Sequence, residues 1–131
     1  MFDFVFNYMF NLNFTIMNSL ANRVQLIGNL GKDPEIKNLT NGKIKANISL
    51  ATSEIYRNSD GEKITETQWH NVVAWGKTAE IAENFLQKGN KVAIEGRLVH
   101  RVYEDKEGKK RYVTEVVATS LMMLDTKPKS N

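Results

Sequence analysis

The aromatic residues Tyr56, Trp69, Trp75 and Tyr103 are interspersed along the chain with the cations Arg23, Lys43, Lys45, Lys63, Lys77, Arg97 and Arg101. Flat rings and positive charge together suit a single-stranded nucleic acid, whose bases stack on the rings while its phosphates are tracked by the cations. Each stacked base contributes about 1–3 kcal/mol, so several exposed rings give useful affinity without reading sequence. The ordinary place for Trp in a small barrel is the interior. Here the aliphatic sets on the other strands already supply a core, which leaves the rings for the surface.

Little else in the chain offers chemistry. His70 and His100 lack HxxxH or HExxH spacing, and with no Cys there is no zinc set, disulfide or thiol nucleophile. No Gly-rich phosphate loop and no G-x-S-x-G turn occurs. Glu104, Asp105 and Glu107 alternate with Lys106, Lys109 and Lys110, the pattern of a solvated hairpin tip rather than of a metal site. A lone His70 beside Trp69 reads as structural. The expectation is a binding protein with no catalytic residue, cofactor or metal. Two rivals are a protein-interaction or replication-restart accessory module, whose aromatic face a partner would cover, and a nuclease, which would need clustered carboxylates.

The elements that must position the rings follow from the pattern. Thr67 to Trp75 reads as a strand with Trp69, Asn71, Val73 and Trp75 on one face and His70, Val72 and Ala74 on the other, unless a bulge shifts the register. A short helix follows, with Thr78 as N-cap, Ile81, Ala82, Phe85 and Leu86 on its inner face, Lys88 near its end and Gly89 as its C′ residue. A strand from Lys91 continues to Tyr103. Upstream, Arg23 to Leu30 is a first strand, with Gly28 marking close approach or a bend and Gly31 to Pro34 ending it. Its Gly28-Asn29-Leu30-Gly31 matches the GxxG loop of KH domains, but that loop joins two helices and this one ends a strand. Lys43 to Thr52 alternates Ile44, Ala46, Ile48 and Leu50 against Lys45, Asn47, Ser49 and Ala51, and runs on towards Tyr56. Arg111 to Leu124 closes the set. Three strands, one short helix and two strands are the order of an all-β, five-stranded Greek-key barrel, the OB-fold.

The 131 residues suit one domain, and a net charge of +3 permits a polyanion partner without requiring one. Met1 to Ile16 is aromatic-rich with no Lys or Arg, lacks a signal-peptide pattern and is too short and interrupted to span a membrane. Residues 1–16 are therefore expected to lie outside the fold, residues 17–124 to form the barrel, and residues 125–131 to be a disordered basic tail.

NRVQLIGNLGKDPE, KIKANISLATSE, WHNVVAWGKTAEIA, LQKGNKVAIEGRL and RYVTEVVA carry a resemblance covering nearly everything after Ile16. They resemble the bacterial-type single-stranded DNA-binding proteins, a homotetrameric OB-fold family of replication, recombination and repair. The resemblance implies base stacking at Tyr56, Trp69, Trp75 and Tyr103, two of them tyrosine here. It implies a DNA-contacting stretch from His70 through Asn71 to Gly76, with His70 near subunit contacts, and phosphate contacts from Arg23, Lys77, Lys88 and Arg101. The implied partners are single-stranded DNA and further copies of the chain, with no cofactor and no membrane, in a cytoplasmic, nucleoid-associated setting. One departure stands out. Family members continue through a linker into an acidic tip that recruits other repair proteins, whereas residues 125–131 are net basic, which puts recruitment in doubt but not DNA binding.

Overall fold

Two long hairpins dominate the computed structural model, which describes residues 2–125. The first joins β3 (Ile44–Arg57) to β4 (Lys63–Trp75), and the second joins β5 (Lys91–Glu104) to β6 (Lys110–Met123). Each turn is built alike. Asn58 Oδ1 accepts from the Asp60 and Glu62 amides, and Asp105 Oδ1 from those of Glu107 and Lys109. Gly61 and Gly108 then take left-handed conformations (φ 80° and 78°) that side-chain-bearing residues rarely adopt. The bonds from Lys109 and from Arg111 hold the Asp105 carboxyl below its usual pKa range.

The remaining elements are α1 (Phe2–Ala21), β1 (Val24–Leu30), β2 (Glu35–Asn38) and α2 (Gly76–Phe85). The sheet runs β1-β5-β6-β4-β3-β2, and a further pairing of β1 with β3 closes β1, β3, β4, β6 and β5 into the expected five-stranded barrel. β4 and β6 pair in parallel and the other pairs are antiparallel. β2 is an addition the sequence pattern did not reveal. It is four residues long and only Ile36 packs towards the core, so no alternation marks it. Gly28 sits where β1 crosses β3, and a Cβ there would overlap the Ala51 carbonyl. The barrel's one register irregularity lies between β5 and β6, where Thr119 is the extra residue and bonds the Glu95 carbonyl at 3.1 Å.

Leu30, Ala46, Ile48, Leu50, Val72, Ala74, Val92, Ile94, Val116 and Ala118 fill the barrel, and α2 closes one end with Ala79, Ala82 and, just past its last residue, Leu86. Ala46, Ala74, Ala79 and Ala82 are all fully buried in this core, where α2 packs on β3 and β4. This inner face differs from the expected one: Ile81 and Phe85 are exposed, because i, i+3, i+7 spacing from Ala79 turns them outward. Thr78 is not the cap. The helix begins at Gly76, Trp75 is the N-cap, and no side chain bonds there. Nor does Gly89 end it, since Leu86 is the C-cap and Gly89 lies in the following turn, donating to the Leu30 carbonyl at 2.9 Å.

The N-terminal stretch, to which the sequence pattern assigns no conformation, is helical. Its sequence shows neither an amphipathic period nor a capping residue, yet α1 runs from Phe2 through Met17 to Ala21. No Gly or Pro interrupts residues 2–21, and Asp3 in the first turn complements the helix dipole. Phe4, Phe6, Tyr8 and Leu20 are exposed, and α1 packs substantially against no other described element. No described helix is long and apolar enough to cross a membrane. Of the expected tail, only Asp125 lies within the described residues, where it accepts the Lys91 amide at 2.7 Å; residues 126–131 lie outside them.

Candidate nucleic-acid interface

β4 and β3 pair without a bulge, so the face alternation of β4 is unbroken. Ala51 lies opposite Trp69, Ser49 opposite Asn71, Asn47 opposite Val73 and Lys45 opposite Trp75. Residues directly opposite share a face, here the one turned away from Ile48, Leu50, Val72 and Ala74 in the core. Both tryptophans therefore look outward, about 20 Å apart along the strand at ~3.3 Å per residue. Val73 between them is buried, lying beside Val117 of β6.

Trp69 is 63% exposed. The benzene part of its indole rests on Gly31, where an added Cβ would lie 2.5 Å from Cζ3. The Gly31 amide donates to the Ser49 carbonyl at 2.9 Å, which fixes that backbone against β3. Trp75 is 40% exposed, and Lys45 Nζ stands 5.4 Å from its ring centroid in a cation–π contact. One ring is open to a base, and the other shares a face with an ammonium.

Beside Trp69 the surface dips into two adjoining clefts. One, of about 260 Å³, is lined by Lys32, Asn47, Ser49, Asn71, Arg101 and Glu115 among others. The other, of about 210 Å³, has Trp69, His70, Asn71, Leu98, Thr114 and Glu115 among the residues of its walls. The side chains of Asn47, Ser49 and Asn71 have no hydrogen-bond partner among the described residues, which leaves amides and a hydroxyl for a ligand. Arg101 reaches in from β5. Its Nε donates to Glu115 Oε1 at 2.7 Å and its Nη2 to Oε2 at 3.4 Å, and the hydrogen bond raises the guanidinium pKa further.

The expected site residues do not all converge. Trp69, His70, Asn71 and Arg101 meet at the clefts. Tyr103 follows Arg101 on the same face of β5, 44% exposed, and Gly76 and Lys77 open α2 next to Trp75. Tyr56 stands on the other face of the β3–β4 ribbon, away from the clefts, and His70 shares that face while also lining the second cleft. The Tyr56 hydroxyl donates to Glu66 at 2.9 Å, a bond that raises its pKa, and His70 Nε2 pairs with the Thr52 hydroxyl at 2.8 Å. Arg23 lies before β1 and pairs with Glu95 at 3.1 Å. Lys88 occupies the turn after α2, its amide held by Asp33 at 2.7 Å. Neither cation lines the clefts.

Sequence reasoning missed Gly31, Lys32, Asn47, Ser49 and Glu115. Asn47 and Ser49 are visible as the water-facing half of an alternating strand. Glu115 gives a weaker signal, a lone carboxylate in a valine-rich strand. Tyr112, 77% exposed, is a further ring outside the expected set; it faces away from Tyr103 on the β5–β6 arm, opposite Val102.

Residues 21–124 match the model of the single-strand binding protein family. Over 107 residues the chain is 48% identical to Single-stranded DNA-binding protein 1 of Chlorobaculum tepidum, covering 81% of this chain and 66% of that one. Over 111 residues it is 44% identical to Single-stranded DNA-binding protein 1 of Xylella fastidiosa, covering 84% and 82%. Among solved structures, a Plasmodium falciparum SSB in complex with ssDNA superposes with a TM-score of 0.73 at 31% identity, over 79% of this chain and 95% of that one. A deletion mutant of the single-stranded DNA binding protein from Thermus aquaticus gives 0.71 at 28% identity, over 81% and 51%. The chain thus spans just under two thirds of the Chlorobaculum relative and about half of the Thermus one.

Proposed function

The chain belongs to the single-strand binding protein family, and from that membership we propose that it binds single-stranded DNA independently of sequence, in replication, recombination and repair. The observation that carries this reading is Trp69, an indole left open on the outer barrel face at one cleft, with Arg101 and unpartnered amides lining the adjoining one. Stacking on Trp69, Trp75 and Tyr103 supplies affinity, and Lys45, Lys77 and Arg101 meet the phosphates. Duplex DNA keeps its bases stacked inside, so oligo-dT is expected to quench tryptophan fluorescence at far lower concentration than a duplex of equal length. Equal binding of both would refute the reading. A cytoplasmic, nucleoid-associated location accompanies it.

The phosphate contacts have their own test. The logarithm of affinity should fall linearly with the logarithm of salt, with a slope of about −0.7 per neutralised phosphate, or roughly −2 for three contacts. A flat response would exclude a phosphate-tracking groove.

Self-association into a tetramer is part of the proposal. Past the barrel closure at Asn29 and Leu30, β1 has β5 on one side and no described strand on the other, so Val24 to Gly28 offer an open edge. Next to it lies an apolar hollow of about 310 Å³ walled by Leu26, Ile27, Ala93, Leu121 and Met122, with Ile27 and Met122 well exposed. The domain is proposed to need nothing before Met17. A chain beginning there should keep its light-scattering mass and its oligo-dT affinity, and loss of either would make α1 part of the assembly.

A further inference from the structure

Glu115 is 8% exposed as a residue and lines both clefts beside Trp69. A buried anion is an odd fixture in a surface meant for a polyanion, since on its own it repels phosphate. Its bonds to Arg101 suggest what it does. A guanidinium has five N–H donors. Glu115 engages the Nε edge and one Nη2 hydrogen, leaving the Nη1 pair and the other Nη2 hydrogen free. The arginine side chain is 48% exposed and the glutamate side chain 10%, so the carboxylate forms the fixed end of the pair and the guanidinium the presented end.

We infer that Glu115 is a positioning residue for nucleic-acid binding, holding Arg101 so that its unbonded edge faces the phosphate or base next to the one stacked on Trp69. Freed of this anchor, the long arginine side chain samples many rotamers and must be ordered on binding. The inference rests on the single-stranded DNA reading and adds a residue whose role is carried out through Arg101.

The sign of a substitution tests it. Glu115→Gln adds one unit of positive charge to the site, and charge alone would strengthen binding of a polyanion. If Glu115 positions Arg101, oligo-dT affinity should instead fall, by about three- to tenfold, in the lower part of the range of coupling between directly bonded groups. In an Arg101→Ala background the same change should strengthen binding, because only a lone carboxylate is being removed. A loss of equal size in both backgrounds would mark Glu115 as a fold residue, and a gain in the otherwise unaltered chain would mark it as a repulsive neighbour. Either result overturns the inference.

A second measurement needs no variant. The Arg101 Nε–H resonance of the intact chain should stay protected from exchange when oligo-dT is added. Its loss on binding would show that the pair opens and would equally overturn the inference. Failure of the unaltered chain to bind oligo-dT at all would defeat the DNA reading and this inference with it, whereas the other adverse outcomes leave DNA binding intact.

Discussion

Trp69→Ala is expected to weaken oligo-dT binding by about 1–3 kcal/mol and to remove most of the fluorescence quenching. The loss should be nearly all in affinity, because a ring 63% exposed contributes little to the core and its removal leaves no cavity. Trp75→Ala should cost less. The Lys45 ammonium stands 5.4 Å from the Trp75 ring, and a base stacking on that face would have to displace it, giving up a cation–π contact of about 0.5–1 kcal/mol. The ranking is checked by titrating both variants at one salt concentration, with circular dichroism to verify the fold. Unchanged affinity in both, with the fold intact, would mean that neither ring meets a base.

Asymmetry between the two rings was not legible in the sequence, although their shared face was. Period-2 alternation sets that face, and the β3–β4 ladder preserves it because no bulge intervenes. The same rule marked Ile44, Ala46, Ile48 and Leu50 as facing inward, and all are packed in or against the core. What failed were inferences depending on which neighbour arrives from elsewhere. Helical spacing puts Ile81 and Phe85 on the inner face of α2 with Ala82 and Leu86, yet the buried set is Ala79, Ala82 and Leu86, and Ile81 and Phe85 are exposed. The aromatics are also not all on one face of the β3–β4 ribbon. Tyr56 is an even-numbered residue on an unbroken ribbon whose outward face is odd, and counting from Trp69 would have placed it opposite. Glu115 could not be assigned to Arg101 from sequence, because the pairing follows from how β5 and β6 align in the closed barrel.

Gly31→Ala should reproduce much of the Trp69→Ala defect without touching any group that contacts DNA. Gly31 is not among the glycines with positive φ, so alanine suits its backbone, and replacing glycine there should reduce the entropy of the unfolded chain by about 0.4–1 kcal/mol. The obstacle is the ring. An added methyl would sit 2.5 Å from Trp69 Cζ3 and 2.8 Å from Cη2, well inside contact distance, and the Gly31 backbone cannot retreat while its amide is bonded to Ser49. The exposed indole is the part able to move, and once it leaves its seat it must be ordered again for each base it stacks. Affinity for oligo-dT should fall by about 1–2 kcal/mol, within the range of a stacked base, while the melting temperature holds or rises slightly. The emission of the free protein should shift as Trp69 leaves Gly31. In a Trp69→Ala background the substitution should cost nothing further, because the methyl no longer meets a ring. A loss that persists in that background would place the effect of Gly31 in the backbone rather than in the seating of Trp69, and the indole would then not be what requires a glycine just past the end of β1.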